Sequence, residues 1–246
     1  MAAAASVAKS MLITGGSSGV GAALAVQAAT RGYKLMIVGR NADALAKVAE
    51  ECRGAGSSKV LTQVADVSSV PDTERVLAAT TEAFGSPSAV ILNAGMNRPG
   101  AVDATTPEDF DAVMGVNVRG VYLYLRSVLP LMKEAGRGQV VVTSSVLGER
   151  TSGGASLYCA SKFAVQGMVG SVRKELAGNP GVKVGTVMPG AIATAWWTDE
   201  KRGGKRSSTP DLSKMLTPDA VASAILTMVE QPESSDIDRI VLEPAA

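Results

Sequence analysis

The chain has 246 residues, of which 46% are hydrophobic and 19% are charged, so it can bury a core and lacks the composition of a disordered protein. Its 24 basic and 23 acidic residues nearly cancel, which excludes a long-range field that would gather nucleic acid or an anionic membrane surface. The absence of histidine excludes every mechanism and metal site that needs an imidazole, so acid–base chemistry must come from Tyr, Lys, Asp or Glu.

Cysteine usage and the N-terminal segment bear on where the protein works. Cys52 and Cys159 are the only cysteines, and their spacing predicts neither a disulfide framework nor a metal site. No apolar run approaches the ~20 residues that span a bilayer, and residues 1–10 lack the basic and apolar regions of a secretion signal. We therefore expect a cytoplasmic protein with no membrane partner, although an organelle-targeted precursor would also fit.

Short apolar runs alternate along the chain with longer segments of helical period, which is typical of a parallel sheet with crossover helices. We predict a single α/β domain over residues 1–246, with a Rossmann-like, doubly wound parallel sheet of about seven strands and helices on both faces. The predicted strands are residues 11–14, 34–38, 60–65, 89–93, 139–144, 183–187 and 239–242. The predicted helices are residues 20–30, 42–53, 70–84, 107–133, 157–177 and 218–230.

A glycine-rich loop joins the first predicted strand to the first helix. Residues 14–21 read Thr-Gly-Gly-Ser-Ser-Gly-Val-Gly, and such a loop can turn tightly and present backbone N–H groups to a pyrophosphate. The spacing G-x-x-x-G-x-G departs from the general G-x-G-x-x-G pattern, so a turn without a ligand is the alternative. The predicted dinucleotide contacts in the loop are Gly15, Ser17, Ser18, Gly19, Val20 and Gly21.

The residues after the second strand bear on which dinucleotide binds. An NAD site usually places a carboxylate there to hold the ribose hydroxyls, whereas this chain has Arg40. A guanidinium suits a 2′-phosphate, so Arg40 predicts NADP(H), with an exposed arginine at a strand end as the alternative. Further cofactor contacts are predicted after the third and fourth strands, at Asp66, Val67, Asn93, Ala94 and Gly95.

Tyr158 and Lys162 are four residues apart in the fifth predicted helix, so they share one face. Lowering a phenol pKa from ~10 to ~7 requires ~4 kcal/mol of preferential stabilisation of the phenolate, which a nearby ammonium and an oxidised nicotinamide can supply where water is scarce. We predict that Tyr158, with a lowered pKa, passes a proton to or from the substrate. The pair alone is a frequent coincidence, but Ser145 ends the fifth strand and Asn117 lies in the fourth helix, where both could face the same crevice.

The regular pattern breaks between residues 195 and 213. This segment follows a central strand, at the edge where open α/β sheets bind ligands, so we predict a lid-like insertion, with a solvated excursion as the alternative. Its basic residues Lys201, Arg202, Lys205 and Arg206 do not predict a nucleic-acid site, because no basic face extends them. Four apolar side chains are candidates for a substrate pocket, although one Trp could equally pack the lid to the core: Leu147, Met188, Trp196 and Trp197.

Taken together, these segments resemble the classical short-chain dehydrogenase/reductase family over residues 11–242. The family's cofactor motif matches residues 14–21, its N-A-G element matches residues 93–95, and its Y-x-x-x-K motif matches Tyr158 and Lys162. Ser145, thirteen positions before the tyrosine, matches the family's catalytic serine. Asn117 matches its helix asparagine, and residues 189–194 match its P-G-x-x-x-T segment.

This resemblance implies an NADP(H)-preferring carbonyl reductase that interconverts a ketone or aldehyde and an alcohol. Tyr158 would pass the proton, Ser145 would orient and polarise the substrate oxygen, and Asn117 would hold a relay water. Lys162 would lower the tyrosine pKa and hold the nicotinamide ribose. The implied partners are a small-molecule substrate and further copies of the chain, in a homodimer or homotetramer whose dimer face is formed by helices 107–133 and 157–177. The cofactor contacts implied near the nicotinamide are Tyr158, Lys162, Pro189, Gly190, Ile192 and Thr194.

Two departures from the family pattern and two other functions bear on this interpretation. Leu92 precedes the N-A-G element where another asparagine is common, and no basic residue stands within residues 15–21, so Arg40 would select the cofactor largely by itself. A non-catalytic dinucleotide sensor could share the fold. An epimerase or dehydratase could use the same Tyr–Lys pair, although such enzymes usually carry a longer C-terminal substrate domain.

Overall fold

A computed structural model describes residues 9–204 and 210–245 of the chain. Seven strands occur in this described part: β1 (Ser10–Thr14), β2 (Lys34–Gly39), β3 (Val60–Val64), β4 (Ala89–Leu92), β5 (Gly138–Thr143), β6 (Val182–Pro189) and β7 (Arg239–Leu242). They form one parallel sheet in the order β3-β2-β1-β4-β5-β6-β7. The predicted doubly wound, Rossmann-like sheet is confirmed, and the strand order reverses between β1 and β4.

Helices cover both faces of the sheet. They are α1 (Gly19–Thr30), α2 (Ala42–Gly54), α3 (Val70–Phe84), α4 (Pro107–Met114), α5 (Gly120–Ala135), α6 (Ser156–Glu175), α7 (Glu200–Gly203) and α8 (Pro218–Val229). Side chains alternate across each strand, so Ile13 packs in the core beneath α1, α2 and α8, whereas Leu12 packs in the core beneath α3, α5 and α6. Because both faces are covered, the carboxyl edge of the sheet is where a ligand can reach the strands.

Local capping explains why several helix boundaries were predictable. Thr106 and Asp109 form a reciprocal capping box at the start of α4, with Pro107 in its first turn. Thr217 caps α8 by accepting a hydrogen bond from the Ala220 N–H. These residues satisfy N–H groups that a helix start would otherwise leave unpaired.

The predicted helix 107–133 is wrong as a single element. A π-helical turn, Gly115–Arg119, separates α4 from α5. In such a turn the hydrogen bonds join residues five apart, so the turn contains one extra residue and its side chains point in changed directions. Such turns often lie beside functional sites. Asn117, at the centre of the turn, is thereby directed into the protein interior.

The predicted lid at 195–213 lies partly outside the described residues, because residues 205–209, including Lys205 and Arg206, are not among them. Its described part contains a 3₁₀ turn (Ala195–Trp197), α7 and a second 3₁₀ turn (Leu212–Lys214). No helix within residues 9–204 and 210–245 is long and apolar enough to cross a membrane.

Candidate active site

A cleft of about 1240 Å³ opens at the carboxyl edge of the sheet. It is larger than the ~300–1,000 Å³ of a typical small-molecule site, so it has room for a dinucleotide together with a small substrate. Its walls come from the residues that follow β1 to β6, from α6, and from the 3₁₀ turn Ala195–Trp197 and α7. The cleft therefore lies where the strand order reverses, the usual ligand position in such sheets.

The glycine-rich loop after β1 is packed too tightly against the loop after β4 to carry side chains at every position. Gly15 has φ 67°, and a Cβ there would lie 2.9 Å from the Ala94 Cα atom, so any other residue would be strained and would clash. The Thr14 hydroxyl oxygen holds the two loops together, because it accepts hydrogen bonds from the N–H groups of Asn93 (3.0 Å) and Ala94 (3.2 Å).

The N-terminus of α1 faces the cleft and has the features of an anion-binding site. Ser18 is the N-cap residue, yet its side chain makes no capping hydrogen bond, and the first turn contains no acidic residue. Gly19 has φ 54° and lies close to the Thr194 side chain. Helix N-termini with N–H groups left to bind are ready anion sites, so this loop fits a dinucleotide phosphate.

Arg40 and Asp66 follow β2 and β3 at the adenosine end expected for a dinucleotide. Arg40 is exposed and lines the cleft. Among the described residues no carboxylate forms an ion pair with it. Asp66 lines the cleft while its carboxylate accepts hydrogen bonds from the Ser68 N–H (2.8 Å) and hydroxyl (2.6 Å). A guanidinium at this position is available for a phosphate.

Tyr158, Ser145 and Lys162 all line the cleft. Ser145 is the N-cap of the 3₁₀ turn Val146–Gly148, and its hydroxyl oxygen accepts a hydrogen bond from the Leu147 N–H at 3.1 Å. The Lys162 ammonium donates to the carbonyl oxygen of Thr143, the last residue of β5, at 2.8 Å. Its nitrogen lies 5.5 Å from the centroid of the Tyr158 ring, so the three side chains share one small polar region.

The lowered pKa predicted for Tyr158 depends on an oxidised nicotinamide as well as on Lys162, and for that complex it stays a prediction. Burial raises the pKa of Tyr158 to about 12, and the neighbouring Ser145 hydroxyl only partly offsets this. Burial also lowers the pKa of Lys162 to about 8. Desolvation penalises the charged form of each group, and it is the largest cause of both shifts. At neutral pH both side chains hold their protons.

Asn117 does not line the cleft, although the sequence placed it in the catalytic group. Its amide accepts a hydrogen bond from the Met96 N–H (2.8 Å) and donates to the Met96 carbonyl (2.9 Å) and the Ser161 hydroxyl (3.0 Å). Only 1% of the residue is exposed. Asn117 thus ties the loop after β4 to α6, the helix that carries Tyr158 and Lys162.

Almost every predicted cofactor contact lines the cleft. Gly21 is the exception, because it packs against the loop itself: a Cβ there would lie 2.3 Å from the Gly15 carbonyl oxygen. The predicted residues that do line the cleft are Gly15, Ser17, Ser18, Gly19, Val20, Arg40, Asp66, Val67, Asn93, Ala94, Gly95, Tyr158, Lys162, Pro189, Gly190, Ile192 and Thr194.

Of the four candidates for a substrate pocket, Leu147, Trp196 and Trp197 line the cleft, whereas Met188 does not. Met188 lies on β6 and is completely buried, because residues of a central strand face the packed helices and not the open edge. The Trp196 ring meets the Tyr158 ring edge to face, with centroids 5.9 Å apart. The Trp197 indole N–H donates to the Ile192 carbonyl at 2.8 Å, which fixes that side of the wall.

Sequence reasoning missed several charged or polar residues that line the cleft, among them Asn97, Arg98, Arg150 and Arg202. The first two belong to the loop after β4, just beyond the recognised N-A-G element. Arg202 stood within the basic stretch of the predicted lid, but no periodicity there indicated which side chains would point inward. The position of residues 97 and 98, directly after a strand at the ligand edge, is the one signal that could have found them.

Comparisons with known proteins find similar sequences and a similar fold. Residues 9–204 match a family model described as short chain dehydrogenase. A levodione reductase from Leifsonia aquatica is 38% identical over 203 residues, which make up 82% of this chain and 74% of that protein. A sepiapterin reductase from Chlorobaculum tepidum is 30% identical over 243 residues, or 96% of each protein. The X-ray structure of an alcohol dehydrogenase from the archaeon Thermococcus sibiricus, complexed with 5-hydroxy-NADP, matches with a TM-score of 0.85 and 29% identity over 95% of each chain.

Proposed function

The chain belongs to the short-chain dehydrogenase family, and we propose that it is an NADP(H)-dependent oxidoreductase that interconverts a ketone or aldehyde and an alcohol. The observation that carries this proposal is the meeting of Tyr158, Ser145 and Lys162 in the same cleft as the glycine-rich loop. A sensor that only bound a dinucleotide would have no use for a phenol, a hydroxyl and an ammonium gathered beyond the phosphate-binding loop.

The cleft suits a nicotinamide dinucleotide along its whole length. The N-terminus of α1 would hold the pyrophosphate, Arg40 would hold a 2′-phosphate, and Lys162 would hold the ribose next to the nicotinamide. When bound, this cofactor supplies or accepts the hydride. The selection of NADP(H) rests on Arg40, which is exposed in the cleft, and the Thermococcus sibiricus relative was solved with an NADP derivative.

Tyr158 is the proposed proton donor for the reduction of a carbonyl. Its pKa of about 12 keeps the phenol protonated at neutral pH, and its position in the cleft lets it reach a carbonyl oxygen that develops negative charge. The Ser145 hydroxyl lies beside it and would donate a second hydrogen bond to the same oxygen, which orients the substrate.

Lys162 would stabilise the phenolate that Tyr158 becomes after it gives up its proton. The pKa of Lys162 is lowered to about 8, so its ammonium remains charged at neutral pH, and its burial strengthens the attraction between the two charges. Asn117 would have a positioning role, because its three hydrogen bonds hold α6 against the loop after β4. The relay water that the family resemblance implies for Asn117 stays a prediction.

The walls of the cleft favour a substrate with an apolar or aromatic group next to its carbonyl. Trp196 packs edge to face against the Tyr158 ring, and Leu147 and Trp197 complete an apolar wall beside it. Aromatic side chains present a large apolar surface to such a group. We propose a small ketone or aldehyde of this class as the substrate.

We also propose that the protein assembles as a homodimer or homotetramer through α5 and α6. Each of these helices leaves a large aromatic side chain half exposed, Tyr122 on α5 and Phe163 on α6. Phe110, on the adjoining α4, is exposed to a similar degree. Large aromatic side chains left exposed at the surface often mark an interface.

The direct test of the proposed activity is a panel of ketones and aldehydes, assayed by the loss of NADPH or NADH absorbance. We expect at least one aryl or cyclic ketone to be reduced, with a kcat/KM at least about tenfold higher for NADPH than for NADH. If no carbonyl compound is reduced with either dinucleotide, the proposed reaction is wrong. Equal values with the two dinucleotides would reject the proposed cofactor preference.

A further inference from the structure

The short helix α7 places an arginine against the glycine-rich loop. The Arg202 guanidinium donates a hydrogen bond from Nη1 to the Ser18 hydroxyl oxygen. Its Nε forms an ion pair with Asp199 at 3.0 Å, and Asp199 is itself held at the start of α7 by accepting a hydrogen bond from the Lys201 N–H at 2.9 Å. All three of Arg202, Asp199 and Ser18 line the cleft. A side chain from a segment 184 residues away in sequence thus reaches the N-cap of α1.

The loop after β4 fixes α7 in this position. The Asn97 N–H donates to the Arg202 carbonyl at 2.7 Å. The Arg98 guanidinium donates to the carbonyls of Glu200 (3.2 Å) and Lys201 (3.4 Å), which are groups that a helix end leaves unpaired. Arg98 is in turn paired with Asp109 of α4 at 3.4 Å. The position of Arg202 is therefore set by several contacts that do not depend on its own side chain.

The electrostatic surroundings of Arg202 are unusual for a contact that only supports the fold. A helix N-terminus carries partial positive charge, and α1 has no acidic residue in its first turn, so a guanidinium placed there adds positive charge to positive charge. The Asp199 carboxylate balances the charge of only one cation, and two further cationic side chains, Arg40 and Lys201, also line this cleft. An anion with several oxygens would satisfy both the guanidinium and the N–H groups of the helix.

We propose that Arg202 binds a phosphate group of the dinucleotide, so that α7 supplies the cation that the glycine-rich loop lacks. This inference rests on the proposed function of the cleft. A guanidinium has several N–H donors in a planar fork, more than its contacts with Ser18 and Asp199 require, and a phosphate oxygen is a stronger acceptor than the neutral Ser18 hydroxyl. Arg202 therefore couples dinucleotide binding to the position of α7 over the cleft.

Two phosphates of NADPH could be the ligand of Arg202. The N-terminus of α1 is the usual place of the pyrophosphate, which NADPH and NADH share. The neighbouring Ser17 lies against the end of β2, since a Cβ on Gly39 would approach the Ser17 hydroxyl oxygen to 3.0 Å. Arg40 follows directly on that strand, and a 2′-phosphate held there is found only in NADPH. The two dinucleotides therefore distinguish the two phosphates.

The test is calorimetric titration of the whole protein with NADPH and with NADH. Arg202→Met keeps the length of the side chain but removes its charge and donors, and we expect it to raise the Kd about 10–100-fold, as the loss of a charge-assisted hydrogen bond predicts. A rise with both dinucleotides assigns Arg202 to the pyrophosphate. A rise with NADPH alone assigns it to the 2′-phosphate.

Two further variants make the result specific. Arg137→Met is the matched control, because Arg137 is exposed in the loop before β5, at the opposite edge of the sheet, and its Kd values should equal those of the unchanged protein. Arg202→Lys keeps the charge and should recover part of the affinity, which a merely structural arginine would not predict.

The possible failures are distinguishable. If the unchanged protein binds both dinucleotides and Arg202→Met binds them equally well, the inference about Arg202 is wrong while the proposed function stands. If the unchanged protein binds neither dinucleotide, the proposed function fails and the inference fails with it.

Discussion

At the scale of single residues, the site is governed by burial. Tyr158 and Lys162 lie one helical turn apart, and removal from water shifts their pKa values in opposite directions, to about 12 and about 8. Each shift favours the neutral form of its group. The phenol is consequently a stable proton donor, and the lysine is charged at neutral pH but close to losing its proton.

This arrangement predicts a pH dependence for carbonyl reduction. Lys162 is charged below its pKa of about 8 and becomes neutral as the pH rises through that value, so the phenolate formed by Tyr158 then loses its stabilising neighbour. Tyr158 keeps its proton over the same range, because its pKa is about 12. We expect kcat/KM for reduction to fall as the pH rises above about 8. The pH dependence of kcat/KM reports the pKa values of the free enzyme.

The measurement is a pH profile of carbonyl reduction, accompanied by the NADPH Kd at each pH. A fall in kcat/KM with a constant Kd would assign the effect to proton transfer. A profile that stays level well beyond the pKa of Lys162 would contradict the proposed role of its charge.

Proximity in sequence decided which site residues could be predicted. Tyr158 and Lys162 share a helix face by spacing alone, and Ser145 and Arg40 directly follow strands whose ends must meet at one edge. The raised pKa of Tyr158 in the protein alone could not be predicted, because the sequence does not show how deeply the phenol is buried. Arg202 was also missed, because its contact with Ser18 depends on how an irregular segment packs.

At the scale of elements, two irregular segments shape the cleft. The π-helical turn directs Asn117 toward Met96 and Ser161, and α7 fits closely against the loop after β4. A Cβ on Gly204 would lie 2.1 Å from the Pro99 Cδ atom, and its φ of 77° is one that other residues rarely adopt. The regular helices and strands were predictable from periodicity and caps, whereas these two segments were not, because tertiary contacts determine them.

Gly204→Ala should release α7 from its position. The positive-φ, extended backbone of Gly204 costs a non-glycine residue about 1–3 kcal/mol, and the clash with Pro99 adds to this. We expect faster amide hydrogen exchange at Asn97, whose N–H bonds to the Arg202 carbonyl, and along α7, with a weaker affinity for NADPH. Exchange in the central strands should not change.

Gly178→Ala is the control for this prediction, because no atom lies within 4 Å of a Cβ at that position. Mass spectrometry of exchanged, protease-digested protein resolves the two segments. Unchanged exchange at Asn97 and α7 in the Gly204 variant would show that the close packing against Pro99 does not hold α7 in place.

At the scale of the whole molecule, the parallel sheet was the most predictable feature, because buried strands that alternate with amphipathic helices have few other ways to pack. The large apolar side chains that stay exposed on the surface follow no such regular pattern. Tyr122 on α5 is 49% exposed and Phe163 on α6 is 44% exposed, and burial of a large apolar side chain stabilises an assembly by about 1.5–3 kcal/mol.

We expect the double variant Tyr122→Glu, Phe163→Glu to dissociate the proposed oligomer. In a two-fold symmetric dimer each new charge enters the interface twice, and a buried unpaired carboxylate is costly. Light scattering coupled to gel filtration should report a lower mass than for the unchanged protein. Val102→Glu is the control, since Val102 is 70% exposed on a 3₁₀ turn outside α5 and α6. A monomeric unchanged protein, or a double variant of unchanged mass, would contradict the proposed interface.

The central claim is that Tyr158 transfers the proton in a nicotinamide-dependent reaction, and Tyr158→Phe tests it most directly because it removes one hydroxyl and keeps the ring that packs against Trp196. We expect kcat for carbonyl reduction to fall about 10²–10⁴-fold, while the Kd for NADPH stays within about twofold of its original value. The matched variant Tyr122→Phe, which removes an exposed hydroxyl outside the cleft, should reduce the carbonyl at the original rate. Undiminished reduction by Tyr158→Phe would contradict the account.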